Sequence, residues 1–451
     1  MQVRASTQSV VALALAVSCL GATDARLLDA VKRRDQKTVS SLVTQHADVN
    51  AALPDGSTPL SWAAYLDERE IAGTLLAGGA KVNTADTYGE TPLTLACASG
   101  DGALAKELLQ AGANANAVRW NGETALMIAA GAGSLEAVRE LIKHGADVKS
   151  VGGSKKQTAL MWAAAEGHSD VVQELIERGA DVNAVSAGGF TPLLFAAIKN
   201  DVKSVKSLLA AHADVNYGLA SGAKVLSVAA SYGNIATVGT LIDAGADVNV
   251  TDRTAATALH TAAQLGNLEM IKMLLAKSAN PNARTAKSAS RGRDSAGGLR
   301  PLTGELTPLH FAARGNHIEA MKLLLAAGAD PKLKGQDGTT LLMSAVGSGK
   351  PEVVKFTYSL DSNIDVVTDS GATLIHASVT GTANGATQSA QNDVCEVIQF
   401  LADKGAKLDE RDKSGRTAID IADRLPIDKA VDLLTALIIK SGATPKTPSL
   451  R

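Results

Sequence analysis

Aromatic side chains are scarce: five Phe, three Trp and five Tyr make up 3% of 451 residues, although 45% are hydrophobic. That excludes a core built mainly on large rings. The apolar content rests on Ala and Leu, which suits helices stacked closely through small side chains. Cysteine is scarcer still. Cys19, Cys97 and Cys395 lie far apart, which excludes a disulfide framework. Cys97 falls within an apolar helical pattern and reads as a small core residue. Neither sign of charge prevails, and a net charge of -2 lacks the dense basic face of a generic nucleic-acid binder. Beyond the N-terminus no apolar run is long enough to span a membrane. The length exceeds what one compact core organises, so several domains or a repeat array are expected.

Residues 1–25 have their own pattern. Arg4 precedes an uncharged apolar run over 10–17, and small residues follow, with Ala22 or Ala25 placed as the last before cleavage. This is the layout of a secretory signal peptide, and the run is too short for a span. A second reading is an apolar helix capping the fold. Lipidation at Cys19 is the weakest reading, because Ala16 stands where a lipobox has Leu. Export would place the soluble mature protein in the periplasm or outside the cell; the alternative is the cytoplasm.

Internal repetition decides the architecture. The strings "TPLSWAA", "TPLTLAC", "TALMIAA", "TALMWAA", "TPLLFAA", "KVLSVAA" and "TALHTAA" begin at 58, 91, 124, 158, 191, 224 and 257, a spacing of 33 or 34. "TPLHFAA" follows at 307, then the poorer "TTLLMSA" at 339, "ATLIHAS" at 372 and "TAIDIAD" at 417. Most units also carry "GADVN" or a relative of it. With both motifs at these spacings, residues 26–440 resemble ankyrin repeats. The resemblance implies an all-α solenoid of helix pairs with projecting β-turn fingers, and the count here is about twelve pairs.

Local physics accounts for the pattern. Thr58, Thr91, Thr191 and Thr307 can cap a helix, and the following Pro suits its first turn. Leu and the Ala pair share one helix face. A second, amphipathic helix follows, as in "SDVVQELIERG", and Gly145, Gly179, Gly245 and Gly328 supply a left-handed ending. His46, His212 and Ser278 replace that Gly at some cost. Residues 26–50 lack the Thr-Pro-Leu start and read as a capping unit. The poorest repeat lies over 339–365, where "YSLDSNIDV" replaces the Gly-Ala-Asp signal, and it is expected to open first.

No chemistry emerges from the titratable residues. The eight histidines sit at recurrent repeat positions or helix ends, and His260 and His310 match a histidine that in the ankyrin family is an internal hydrogen-bonding residue. No H-E-x-x-H or paired C-x-x-C is present. "GSGK" at 347–350 is a turn: a phosphate loop needs Gly at 344 and Ser or Thr at 351, where Ser344 and Pro351 stand. Neither cofactor nor metal nor catalytic residue is expected.

Function then falls to the surface. The resemblance implies protein binding along the concave side, made of finger tips and first-helix ends. Large rings and arginines are the best anchors there. The candidates are Arg119 and Trp120 in the finger "AVRWNGE", Tyr88 and Phe190 in other fingers, and Tyr65, Tyr232 and Arg314 at first-helix ends. For Trp120 the alternative is packing against an adjacent finger. Trp62 and Trp162 share a helix position with Phe195 and Phe311 and are expected in the core.

Two insertions interrupt the repeat. Residues 283–306 form a finger 17 residues longer than that between Asn83 and Thr91, and five basic residues, including Arg291 and Arg293, outweigh two acidic ones. It either folds over or steers an acidic partner or is an unselected flexible loop. The second, over 380–391, lies between the helices of its unit and reads as passive; 441–451 reads as a disordered tail. The expected function is a monomeric, non-catalytic module binding one protein partner of unknown identity, without nucleic acid and without a membrane span. The alternative is a scaffold or inhibitor subunit of a cell-envelope complex.

Overall fold

The computed structural model describes residues 25–287, 304–380 and 387–442. Residues 1–24, nearly all of the segment read from sequence as a signal peptide, the middle of the long insertion with Arg291 and Arg293, residues 381–386 and the tail from 443 lie outside the described residues. The described chain holds twenty-four helices in twelve consecutive pairs. Among the described residues β-structure is limited to isolated bridges within fingers, such as Val118 with Thr124 and Gly218 with Lys224. The chain divides into two compact bodies, Met1–Ala180 and Asp181–Arg451. The first runs from α1 (Ala25–Lys32) to α10 (Ser169–Glu177), the second from α11 (Pro192–Lys199) to α24 (Asp428–Lys440).

The first helix of each repeat forms for the reasons its sequence gives. In α3 (Pro59–Tyr65), Thr58 is extended at φ -111, and its Oγ1 accepts from the Ser61 N–H at 3.2 Å while Ser61 Oγ accepts from the Thr58 N–H. Two donors that a helix start leaves open are thereby satisfied. The device recurs at Thr91 with Thr94 and at Thr417 with Asp420. Lys224 takes the cap position of α13 (Val225–Ser231) and makes no side-chain cap bond. Leu60, Ala63 and Ala64, then Leu93, Ala96 and Cys97, are buried between repeats. Each buried Leu contributes about 1.5–3 kcal/mol, and the small Ala lets the next helix approach. Burial pushes the Cys97 thiol up to about 12, so it is inert.

Second helices end in a left-handed residue. His46, His212 and Ser278 adopt φ 61, 64 and 66 where other repeats have Gly, at a cost of about 1 kcal/mol each. The repeat over 339–365 departs from this: α20 (Pro351–Leu360) ends on Asp361 in an extended conformation at φ -146. Residues 347–350 join α19 (Leu341–Val346) to α20 as a turn. In the later unit, α22 (Gln388–Asp403) is sixteen residues long and starts inside the stretch read from sequence as a loop, capped by Thr387 Oγ1 on the Ala390 N–H.

The Asn of "GADVN" forms a clamp to the following repeat. Asn50 Nδ2 donates to the Gly79 carbonyl at 3.2 Å, and its Oδ1 accepts from the Lys81 N–H at 2.7 Å. Asn83 and Asn116 repeat this in the first body, and Asn183, Asn249 and Asn282 in the second. Each clamp satisfies the carbonyl of the left-handed residue just past a helix end. Lys332 stands where the next clamp would be.

Candidate interaction face

Position decides which rings are accessible. Leu60, Ala63 and Ala64 line the stacking face of α3; Trp62, two residues beyond Leu60, is turned about 200° around the axis and falls outside that stripe. Trp62 and Trp162 are therefore half-buried rather than core, as are Phe195 and Phe311. Gly131 leaves room for the Trp162 ring, since a Cβ there would lie 2.7 Å from it. Trp62 Nε1 donates to Ser57 Oγ at 3.2 Å, Tyr65 meets its ring edge-on at 5.8 Å, and Lys32 Nζ stands 4.4 Å over its centroid. The Lys32 contact is a cation–π pair.

The fingers of the first body are hydrogen-bonded in series. The Thr87 N–H donates to the Asp55 carbonyl at 2.8 Å, and the Trp120 N–H to the Tyr88 carbonyl at 3.0 Å. Asp86 Oδ1 holds its turn by accepting from the N–H groups of Tyr88 and Glu90. Gly89 has φ 74, and a Cβ there would come within 2.9 Å of the Trp120 nitrogen, so only Gly fits. This scaffold presents Trp120 75% exposed, Tyr65 57% and Tyr88 50%. The expectation for Arg119 needs correction. Its side chain is 19% exposed and pairs with Glu90 at 2.7 Å and Glu123 at 3.2 Å, so it braces two fingers instead of standing free.

In the second body Tyr232 is exposed, as expected of a first-helix end. Phe190 is half-buried and packs on Phe195 with ring centres 5.4 Å apart. Arg314 is exposed, with Asp337 as its nearby counter-charge.

The two faces of the first body differ. Its exposed large apolar side chains, Tyr65, Tyr88, Val118, Trp120 and Val151, all lie on fingers or a first-helix end. Among the described residues the second helices of this body expose no large apolar side chain and carry ion pairs: Arg69 with Glu107, Lys143 with Glu140, and Glu174 with both Arg139 and Arg178. The two arginines hold the Glu174 carboxyl below the usual range.

Two of the buried histidines join the start of their own helix to the next finger. His260 Nδ1 accepts from the Thr257 N–H at 3.1 Å, which leaves Nε2 to donate to the Leu306 carbonyl at 3.1 Å. His376 does the same with Thr373 and the Arg416 carbonyl. Burial lowers His260 to about 4 and His310 to about 3, so both are neutral at pH 7. Among the described residues no group of three or more His, Cys, Asp or Glu side chains is placed to hold a metal ion.

A family model for ankyrin repeats in three copies matches residues 27–119, 98–186, 193–285 and 294–370. Two solved structures are similar. The human ASB11 ankyrin repeat domain is 29% identical, covers 50% of this chain and 100% of its own, with a TM-score of 0.46. The ankyrin repeat domain of Bcl-3, a member of the IkappaB protein family, is 30% identical, covers 49% of this chain and 99% of its own, with a TM-score of 0.42. No curated protein matches the chain.

Proposed function

The chain belongs to the ankyrin-repeat family, and from that premise we propose that it is a non-catalytic protein-binding module engaging its partner through the fingers and first-helix ends of the first body. Ankyrin repeats are in general protein-interaction modules without catalysis. One observation carries the choice of face: the exposed large apolar side chains of this body gather on fingers and a first-helix end, while among the described residues its second helices expose none and carry ion pairs. Exposed apolar side chains gathered on one face mark an interaction site, whereas an ion-paired helix surface is a solvated one. Crosslinking and pull-down with the full chain test the proposal. Trp120→Ala combined with Tyr88→Ala should lower recovery of the partner about tenfold or more while leaving the melting temperature unchanged. Undiminished recovery would remove this face from consideration. The proposal extends to location: Arg4, the apolar run over 10–17 and the small residues after it support export to the periplasm or beyond. Sequencing of the mature N-terminus should begin after Ala22 or Ala25, and a retained Met1 would end that part.

A further inference from the structure

We infer that the finger face of the first body takes a basic, extended segment of its partner, with an arginine or lysine at every third position and apolar side chains between. The inference rests on the interaction-module reading and adds the chemistry of the partner.

Charge is the first argument. The first three fingers carry Asp55, Asp86, Glu90 and Glu123 against the single cation Arg119, a net of -3 on a chain whose total is -2. Arg119 already bridges Glu90 and Glu123, so two carboxylates are shared by one guanidinium. Asp55 and Asp86 use Oδ1 in their own turns, accepting from the Ser57 and Tyr88 N–H groups. These bonds fix both carboxylates on the rigid finger series. The fourth finger changes sign through Lys155 and Lys156, which confines the acidic stretch to three fingers.

The rings supply the second argument. Trp62 shows how this chain satisfies an indole face, with the Lys32 ammonium 4.4 Å above its centroid. Trp120 is more exposed, and among the described residues no cation lies over it. An arginine from a partner would meet the Trp120 face within a finger series of net negative charge, combining cation–π and ionic attraction. A purely apolar segment would desolvate the carboxylates without compensation, and an acidic or phosphorylated one would be repelled.

Spacing sets the length. Stacked repeats lie about 10 Å apart, and a chain in the polyproline II form advances about 3.1 Å per residue with three residues per turn. Every third side chain therefore faces a finger, and three fingers read a segment of roughly nine residues.

Fluorescence anisotropy with the full chain tests this, using labelled nine-residue probes: three copies of Arg-Leu-Ser, and three of Glu-Leu-Ser. The arginine probe should bind, and more weakly as salt rises from roughly 50 to roughly 300 mM. Trp120→Ala should weaken it about tenfold. Asp86→Asn, which keeps the Oδ1 acceptor of the turn, should weaken it about threefold. Glu140→Gln on a second helix should change nothing. Equal binding of both probes, indifference to Trp120→Ala with the fold intact, or no binding of the arginine probe near 1 mM would each overturn the inference. Binding of the glutamate probe that depends on Trp120 would leave the face as an interaction site and make only the basic partner wrong.

Discussion

Within the second body, residues 183–330 and residues 332–365 are built from the same repeat and joined differently. The earlier region ends its second helices on left-handed residues, His212, Gly245, Ser278 and Gly328, and Asn183, Asn249 and Asn282 clamp three of its repeats to the next, with Asn216 making only the bond from the Asp247 N–H at 3.4 Å. The later region has Lys332 in the clamp position and the extended Asp361 at the helix end. Buried polar atoms without a hydrogen-bond partner do not separate the two regions: Ser227 Oγ and His310 Nε2 lie in the earlier, Asp337 Oδ2 and Ser344 Oγ in the later. Packing persists in both, since Val353, Val354 and Met343 are as buried as Leu208 or Leu241 are in the earlier repeats. What lapses is the polar stitching. In a repeat array, stability is shared between neighbours, so several weak links in one repeat lower the cost of opening it locally.

The largest expected effect reverses this ranking. His260 and His310 lie in the well-stitched region, lowered to about 4 and about 3 by burial, against about 6.5 in an unfolded chain. Their folded values are depressed, so the unfolded state binds more protons in the window between. Stability is full above about pH 6.5 and is lost as pH falls toward 4, by about 3 kcal/mol for His260 alone. Urea unfolding from pH 7 to pH 4 should show the loss, and His260→Gln should blunt it. A flat wild-type profile over that window would contradict the assignment. At neutral pH the ranking should stand: amides over 339–365 should exchange with protection about 2 kcal/mol lower than those over 183–330. Equal protection would mean that packing alone governs local opening.

Much of this was legible in the sequence. The spacing of Thr-Pro-Leu and Gly-Ala-Asp placed the helix starts, the left-handed ends and the repeat over 339–365 that lacks such an end, because each rests on one residue's backbone preference. The second insertion read as loop up to Gln391 because Gly, Ala and Thr carry no helical signature there, yet α22 begins at Gln388. The clamp escaped notice although "GADVN" was in view, because its bonds reach residues 29 and 31 positions away. At the candidate face, Trp120 and Tyr88 were recognisable as finger residues. Arg119 was misjudged: its partners Glu90 and Glu123 sit in different fingers, and only the stacking brings Glu90 to it. Trp62 and Trp162 read as core because they share a helix position with Phe195 and Phe311, whereas the helical angle to Leu60 puts that position at the edge.

The clamp can be weighed directly. Asn282→Ala removes the bonds to the Gly328 carbonyl and the Asp330 N–H and should cost about 1–2 kcal/mol, read as lower protection in the two repeats that flank it. A cost confined to one of them would show that the clamp serves local turn geometry more than coupling.

The smallest effect concerns the long insertion, which falls inside the well-stitched region without loosening it. Asn282, just before it, still bonds the Gly328 carbonyl 46 residues away. The two ends of the insertion are paired: Thr285 N–H donates to the Leu306 carbonyl at 3.0 Å, and Thr285 Oγ1 accepts from the Leu306 N–H at 3.0 Å. They are also tied to their neighbours, with the Ala286 N–H on the Thr254 carbonyl and the Gln336 N–H on the Gly304 carbonyl. A finger closed at its base does not depend on the chain beyond the closure. Replacing 288–303 by a short turn should therefore preserve the fold and, by lowering the loop-closure entropy, raise stability by at most about 1 kcal/mol. A loss of several kcal/mol on that deletion would show that 288–303 contributes contacts to the repeats on either side, and the paired ends would then be a consequence of those contacts and not their cause.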